Sequence, residues 1–172
     1  ASSCYTVGDG AGEVNMRVLG WKKILCPVDF SPTSESALRV ASALARELGA
    51  DLTLLHVRMI PGSSIPEALL EPTGELTHDL SAPADRPLVS WKTTAEALGA
   101  PRVEALTSVG DPTQEITELA RRGGFDAIVI ATHGRTGLKH AVLGSVAERV
   151  VRLAPCVVIS VTPEAASRLG TA

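Results

Sequence analysis

Residues 125–150 read FDAIVIATHGRTGLKHAVLGSVAERV, and this stretch decides the fold. It begins with the apolar run 125–131, which predicts a buried strand, and it ends in a segment from Ser145 that predicts a helix. The loop between them carries glycines, which let backbone N–H groups approach a phosphate, and a helix N-terminus adds partial positive charge. The stretch therefore predicts an anion site between a strand and the helix that follows it.

The charge of this loop opposes the charge of the whole chain. No acidic residue lies between Asp126 and Glu148, although the chain has a net charge of −3. The basic and titratable side chains in that gap are His133, Arg135, Lys139 and His140. Such a local excess of positive charge favours an anionic ligand. The alternative is purely structural, with glycines that turn the chain and Ser145 as an ordinary helix cap.

Apolar runs predict four more strands along the chain. They cover residues 22–28, 51–57, 102–109 and 156–161. The third of these partly alternates between apolar and polar residues, which is typical of an edge strand.

Helices are predicted between successive strands from caps and helical periodicity. Ser31 and Asp111 each precede a proline, the combination that opens a helix, and Ser145 with Glu148 reads as a capping box. Glycines 49, 99 and 123 are expected to end the first three helices, and a proline at 155 stops the last. A helical stripe from Leu88 to Leu98 forms the second helix.

This alternation predicts an α/β fold, a three-layer sandwich with a parallel sheet covered by helices on both faces. Ligands of such sheets bind beyond the carboxyl ends of the strands, where the strand order reverses. Two strands are followed at their carboxyl ends by candidate ligand-binding residues, one by Asp29 and the other by the segment from Ala131. We therefore expect these two strands to be neighbours in the sheet. Asp29 then either accepts hydrogen bonds from a ribose or adenine, or serves only as a helix-entry residue. His56, at the end of an apolar strand, is interpreted as a satisfied core or rim residue.

The domain organisation follows from composition along the chain. Residues 1–20 are small and polar and predict a flexible tail, residues 21–162 one domain, and residues 163–172 a second tail. Within the domain, residues 59–87 carry five prolines and predict a long loop excursion, with a short helix near 67–70.

Composition also excludes several classes of function. Aromatic residues make up only 3% and the net charge is negative, so nucleic acid is not an expected partner. No apolar run reaches the roughly 18 residues of a membrane span, and no signal peptide is recognised. Three distant cysteines lack metal-ligand spacing and are expected to be unreactive, which makes a cytoplasmic location the default. The sequence contains no P-loop and no Gly-x-Ser-x-Gly elbow. It therefore favours a protein that binds a ligand over an enzyme that converts one.

Four segments together resemble the universal stress protein family. They read KILCPVDFS from Lys23, LLHV from Leu54, ATHG from Ala131 and, after nine residues, GSVAERV from Gly144. The resemblance spans residues 21–161. It implies a five-stranded sheet in the order 3-2-1-4-5, of the kind found in adenine-nucleotide alpha-hydrolase-like proteins. It further implies ATP, or AMP or ADP, as a regulatory ligand in the stress response.

The resemblance also implies a set of site residues. Pro27 and Asp29 would meet the adenosine, and the backbone of Val57 would meet the adenine. The phosphates would be held by Gly134, Gly144, Ser145 and Val146, with Mg²⁺ or Mn²⁺ held through those phosphates. The full set of nucleotide-binding residues is Pro27, Val28, Asp29, Val57, Ala131, His133, Gly134, Arg135, Gly137, Gly144, Ser145 and Val146. A homodimer through the last strand, from Cys156 to Val161, is implied as well, and an exposed strand edge is a pairing template on physical grounds.

Two alternatives remain open from the sequence. One is a dimeric interaction module of the same fold that binds no nucleotide, because Ala131 stands where the family pattern has glycine. The other is an enzyme that slowly hydrolyses ATP, although no catalytic residue is recognised for it.

Overall fold

A computed structural model describes residues 20–59, 86–132 and 144–162. Within these ranges the strands are β1 (Lys23–Pro27), β2 (Asp51–Arg58), β3 (Arg102–Val109), β4 (Ala127–Ala131) and β5 (Val157–Val161). The helices are α1 (Pro32–Leu48), α2 (Arg86–Ala97), α3 (Pro112–Gly123) and α4 (Ser145–Leu153). The predicted tails, the short helix near 67–70 and most of the excursion lie outside the described residues.

All strand pairings in the described sheet are parallel, in the order β3-β2-β1-β4-β5. The predicted fold class and strand order are therefore confirmed, with β3 at one edge. Helices α1 and α2 pack on one face with Ile24, Cys26 and Leu54, and α3 and α4 pack on the other with Leu25 and Ile128. The sheet is thus buried on both faces, as a parallel sheet requires.

The predicted helix starts at Ser31 and Asp111 are confirmed by their hydrogen bonds. The Ser31 side chain accepts from the Ser34 N–H, and the Asp111 side chain accepts from the Gln114 N–H. Each cap is followed by proline, whose missing N–H costs nothing in a first helical turn.

The capping box predicted from Ser145 and Glu148 is wrong. The cap residue of α4 is Gly144, in an extended conformation, and no side chain accepts a hydrogen bond there. Ser145 is consequently the first helical residue, and Glu148 lies one position past the place a capping box needs. The Glu148 carboxylate instead faces Arg152 one turn on, at 3.9 Å.

Some predicted boundaries shift by one or two residues for identifiable reasons. Helix α3 ends one residue later than expected, because Gly124 rather than Gly123 takes the left-handed conformation. The Phe125 N–H then closes the helix end on the Ala120 carbonyl, so β4 begins at Ala127 instead of Phe125. Helix α2 begins at Arg86, two residues inside the predicted excursion.

Two of the cysteines lie in the described residues, and both are free. Complete burial raises the pKa of Cys26 to about 12. Partial burial, and then the negative charge of Asp126, raise the pKa of Cys156. Because the thiolate is the reactive form, these shifts agree with the prediction of unreactive thiols. In the parts of the chain that the structure covers, no helix is both long enough and apolar enough to span a bilayer.

Candidate functional site

The strand order reverses between β1 and β4, which are neighbours in the sheet. The chain leaves β1 for α1 on one face and leaves β4 for α4 on the other, so the two connections diverge above the carboxyl edge. In sheets of this kind such a divergence forms a crevice at the carboxyl edge, and their ligands bind there. The expectation that the strands leading to Asp29 and Ala131 are adjacent is confirmed.

The turn after β1 is held together by side chains of its own residues. The Asp29 Oδ1 atom accepts hydrogen bonds from the Ser31 N–H at 3.0 Å and from the Ser31 Oγ at 2.6 Å. The Asp29 N–H donates to the Ser34 Oγ at 3.2 Å. Asp29 is therefore a helix-entry residue, as one of its two interpretations proposed, and its carboxylate is held rigidly at the crevice.

Phe30, between those two residues, has a left-handed backbone with φ of 64°. A bulky residue rarely adopts this conformation, so the surrounding contacts must hold it there. Its ring lies 4.4 Å from the His56 ring and 5.4 Å from the Trp91 ring, centroid to centroid. These aromatic contacts join the β1–α1 turn to β2 and to α2.

His56 connects the carboxyl ends of β1 and β2. Its Nδ1 atom lies 2.9 Å from the Val28 carbonyl oxygen. A carbonyl can only accept, so Nδ1 carries the hydrogen and donates it. The interpretation of His56 as a satisfied rim residue is confirmed.

The loop between β4 and α4 is closed at its base by two backbone hydrogen bonds. The Thr132 N–H donates to the Val161 carbonyl at 3.0 Å, and the Gly144 N–H donates to the Thr132 carbonyl at 2.5 Å. The Gly144 amide is therefore already used within the protein.

The first turn of α4 leaves backbone donors at the crevice. The first hydrogen bond of the helix runs from the Glu148 N–H to the Gly144 carbonyl, at 2.9 Å. The amides of Ser145, Val146 and Ala147 precede that bond, so they have no acceptor inside the helix. Such amides, together with the helix dipole, attract a negatively charged group.

Eight of the predicted site residues lie in the described residues, and all eight occur at the carboxyl edge or in the first turn of α4. They are Pro27, Val28, Asp29, Val57, Ala131, Gly144, Ser145 and Val146. His133, Gly134, Arg135 and Gly137 lie outside the described residues.

Sequence reasoning did not single out Ala147 or the aromatic cluster of Phe30, His56 and Trp91. The amide of Ala147 can be recognised as a free helix donor only once the start of α4 is known. The cluster has no local signal, because its three rings come from three separate elements. Across residues 20–59, 86–132 and 144–162, no group of three His, Cys, Asp or Glu side chains could hold a metal ion.

Comparisons with known proteins agree with this architecture. The model of the universal stress protein family matches residues 20–162. A universal stress protein of Methanocaldococcus jannaschii, MJ0577, is 35% identical over 145 residues, covering 77% of this chain and 89% of the relative. YxiE of Bacillus subtilis is 31% identical over 150 residues, covering 82% of this chain and 99% of the relative.

A solved structure extends the agreement to three dimensions. The universal stress protein UspA from Lactobacillus plantarum is 26% identical to this chain and superposes with a TM-score of 0.68. The match covers 82% of this chain and 97% of that protein. With the family model matched from the first strand to the last, this chain belongs to the universal stress protein family.

Proposed function

We propose that this protein binds an adenine nucleotide, with ATP as the physiological form, at the carboxyl edge between β1 and β4. The nucleotide acts as a regulatory ligand in the stress response. The observation that carries the proposal is the set of three amides without an intrahelical acceptor at the start of α4, the helix that follows β4 where the strand order reverses. A cytoplasmic homodimer joined through β5 completes the proposal.

The phosphates are proposed to lie against the first turn of α4. Because the Gly144 N–H donates to Thr132, the donors for the phosphates are the amides of Ser145, Val146 and Ala147. The absence of a side chain at Gly144 still matters, since a side chain at the helix cap would occupy the space in front of these amides. Mg²⁺ or Mn²⁺ is proposed to enter the site bound to the phosphates of the nucleotide, because Mg²⁺ in proteins is commonly coordinated by substrate phosphates.

The adenosine is proposed to lie over the ends of β1 and β2. The rigidly held Asp29 carboxylate is suited to accept hydrogen bonds from ribose hydroxyls, and the Val57 peptide borders the same edge. A universal stress protein that is 24% identical to this chain was crystallised with cAMP. At that identity the likeness establishes only a shared fold, so the proposal rests on the residues of this chain.

Calorimetric titration with ATP and Mg²⁺ tests the proposal. Wild-type protein is expected to bind, and Gly144→Asp to lose at least about tenfold in affinity, because a carboxylate faces the phosphates. Gly144→Asn is the matched control, with a neutral side chain of the same size that should weaken binding less. Mass spectrometry of nucleotide released from freshly purified protein identifies the form that is bound.

A second candidate is an interaction module of the same fold that binds no nucleotide. The observation that favours it is Ala131, whose half-buried methyl group lies at the end of β4, where the family pattern has glycine. Wild-type protein that binds no ATP at millimolar concentration would support this candidate and contradict the first. Ala131→Gly would then restore binding if the methyl group is the obstacle.

A further inference from the structure

The hydrogen-bond ladder between β1 and β2 ends at Val28. The strands are paired up to Pro27 opposite Leu55, and the Val28 N–H donates to the Leu55 carbonyl at 2.8 Å. In a regular parallel ladder the next bond would run from the Val57 N–H to the Val28 carbonyl. Among the described residues, no backbone hydrogen bond from Val57 to Val28 is formed.

The backbone of Val57 nevertheless faces β1. Successive residues of a strand direct their backbone groups to opposite neighbours, and the Leu55 carbonyl faces β1 because it accepts from Val28. The Arg58 carbonyl faces β3 because it accepts from the Gly110 N–H at 3.1 Å. Val57, two residues after Leu55, therefore directs its N–H and C=O groups toward the β1 side, at the crevice.

The imidazole of His56 occupies the place of the missing bond. Its Nδ1–H donates to the Val28 carbonyl at 2.9 Å, so that carbonyl is satisfied without Val57. The ring is supported from its other side by Phe30, at 4.4 Å between centroids, and Phe30 in turn contacts Trp91 edge-on. The left-handed backbone of Phe30 brings its ring to this position.

We infer that His56 is a positioning residue of the nucleotide site, which takes the Val28 carbonyl and thereby leaves the Val57 peptide available to the base. This inference rests on the proposed function and adds a residue to it. An N–H group pairs with a ring-nitrogen acceptor, such as N1 of adenine, whereas N1 of guanine carries a hydrogen and repels it. Without the imidazole, Val57 can close the ladder onto Val28 and lose its contact with the base.

Three variants of His56 separate the hydrogen bond from the stacking. His56→Asn places an amide N–H near the position of Nδ1, His56→Gln places its amide one carbon further out, and His56→Leu has no donor. All three variants lose the imidazole ring that packs against Phe30, so their free energies of unfolding should fall by similar amounts. Calorimetric titration with ATP is expected to give His56→Asn within about threefold of wild type, and the other two at least about tenfold weaker.

Amide hydrogen exchange measured by NMR tests the same inference without a ligand. The Val57 N–H is expected to exchange fast in ligand-free wild type and in His56→Asn, and at least about tenfold more slowly in His56→Leu, where it bonds to Val28. If His56→Leu does not fold, His56→Gln takes its place in both measurements. His56→Asn is the matched control, since it loses the same ring as the other two variants but keeps a donor for the Val28 carbonyl.

Two results would overturn the inference. One is ATP binding by folded His56→Leu or His56→Gln equal to that of wild type, and the other is a Val57 amide equally protected in wild type and in these variants. If wild-type protein binds no ATP, the proposed function fails, while the exchange of Val57 still decides whether His56 replaces the ladder bond.

Discussion

At the scale of single residues, Asp29 has one task that the structure shows, at the entry to α1, and a second, ligand binding, that we propose. Its carboxylate accepts two hydrogen bonds from Ser31 and so fastens the entry to α1. The same bonds hold the carboxylate in one orientation at the crevice. A side chain held in this way loses little further freedom when a ligand binds, which favours affinity.

The two tasks of Asp29 can be separated by substitution. Asp29→Ala is expected to lower the free energy of unfolding by about 1–3 kcal/mol, because the buried Ser31 groups lose their acceptor. Asp29→Asn keeps an oxygen acceptor and should lose less stability. Both variants should bind ATP more weakly than wild type. Urea denaturation and calorimetry measure these effects, and full ATP affinity in Asp29→Asn would show that the charge is not used.

Cys26 gives a prediction for alkaline pH. Its pKa is raised from 9.0 to about 12 by burial, so the folded protein holds the thiol proton more tightly than the unfolded chain does. The stabilising contribution is complete below pH 9 and is lost as the pH rises toward 12. Between these values Cys26 should reduce the free energy of unfolding by about 1.4 kcal/mol per pH unit.

The control for this prediction is Cys26→Ala. Below pH 9 the variant is less stable than wild type because it leaves a small cavity, but its stability should decline less steeply above pH 9. Parallel slopes for wild type and variant, measured by urea denaturation from pH 8 to pH 11, would contradict the assignment.

At the scale of elements, the described helix starts differ in whether a side chain caps them. Helices α1 and α3 each have a side-chain cap, whereas α4 begins at Gly144 with none. An uncapped helix start leaves its donors available to a ligand, at some cost in stability of the free protein. Among the helix starts that the structure describes with their caps, those of α1, α3 and α4, the start of α4 is the one without a side-chain cap.

Alanine substitution of the two side-chain caps distinguishes a structural cap from one beside the site. Ser31→Ala and Asp111→Ala should each destabilise the protein by about 1 kcal/mol, because each leaves a helix N–H without its acceptor. Only Ser31→Ala should also weaken ATP binding, because Ser31 holds the Asp29 carboxylate. Thermal unfolding with and without ATP measures both effects, and an equal ATP-induced shift in the two variants would contradict this division.

At the scale of the whole molecule, β5 is the edge strand of the described sheet on the side of β4. The Thr132 N–H donates to the Val161 carbonyl, so Val161 faces β4. By alternation, Ser160 directs its backbone groups away from the sheet, and its side chain is exposed. An unpaired row of this kind can join to a second copy of the chain.

The proposed homodimer can be tested at that edge. Ser160→Pro removes an outward N–H without removing a bond to β4, and is expected to convert a dimer to a monomer while the fold is kept. Ser160→Ala is the control and should remain dimeric. Light scattering after size-exclusion chromatography measures the mass. A dimer that survives Ser160→Pro would mean that the subunits meet elsewhere.

Much of the architecture was predictable because its signals are local. Caps at Ser31 and Asp111 and the left-handed Gly49 act within a few residues, so the helix limits could be read directly. The failures are also local in origin. Ser145 and Gly144 both suit a helix cap, and Phe125 extends an apolar run although its N–H closes α3.

The sequence by itself determined the order of strands and helices and, through the resemblance to a family, the sheet order and the edge at which we propose the nucleotide site. Only the tertiary structure decided which polar groups at that edge are already used. His56 reaches Val28 from 28 residues away, and Thr132 takes the Gly144 amide across the base of a loop. Periodicity and capping are encoded between near neighbours in the chain. Hydrogen-bond partners at a sheet edge come from separate strands, so they exist only once the strands have been brought together.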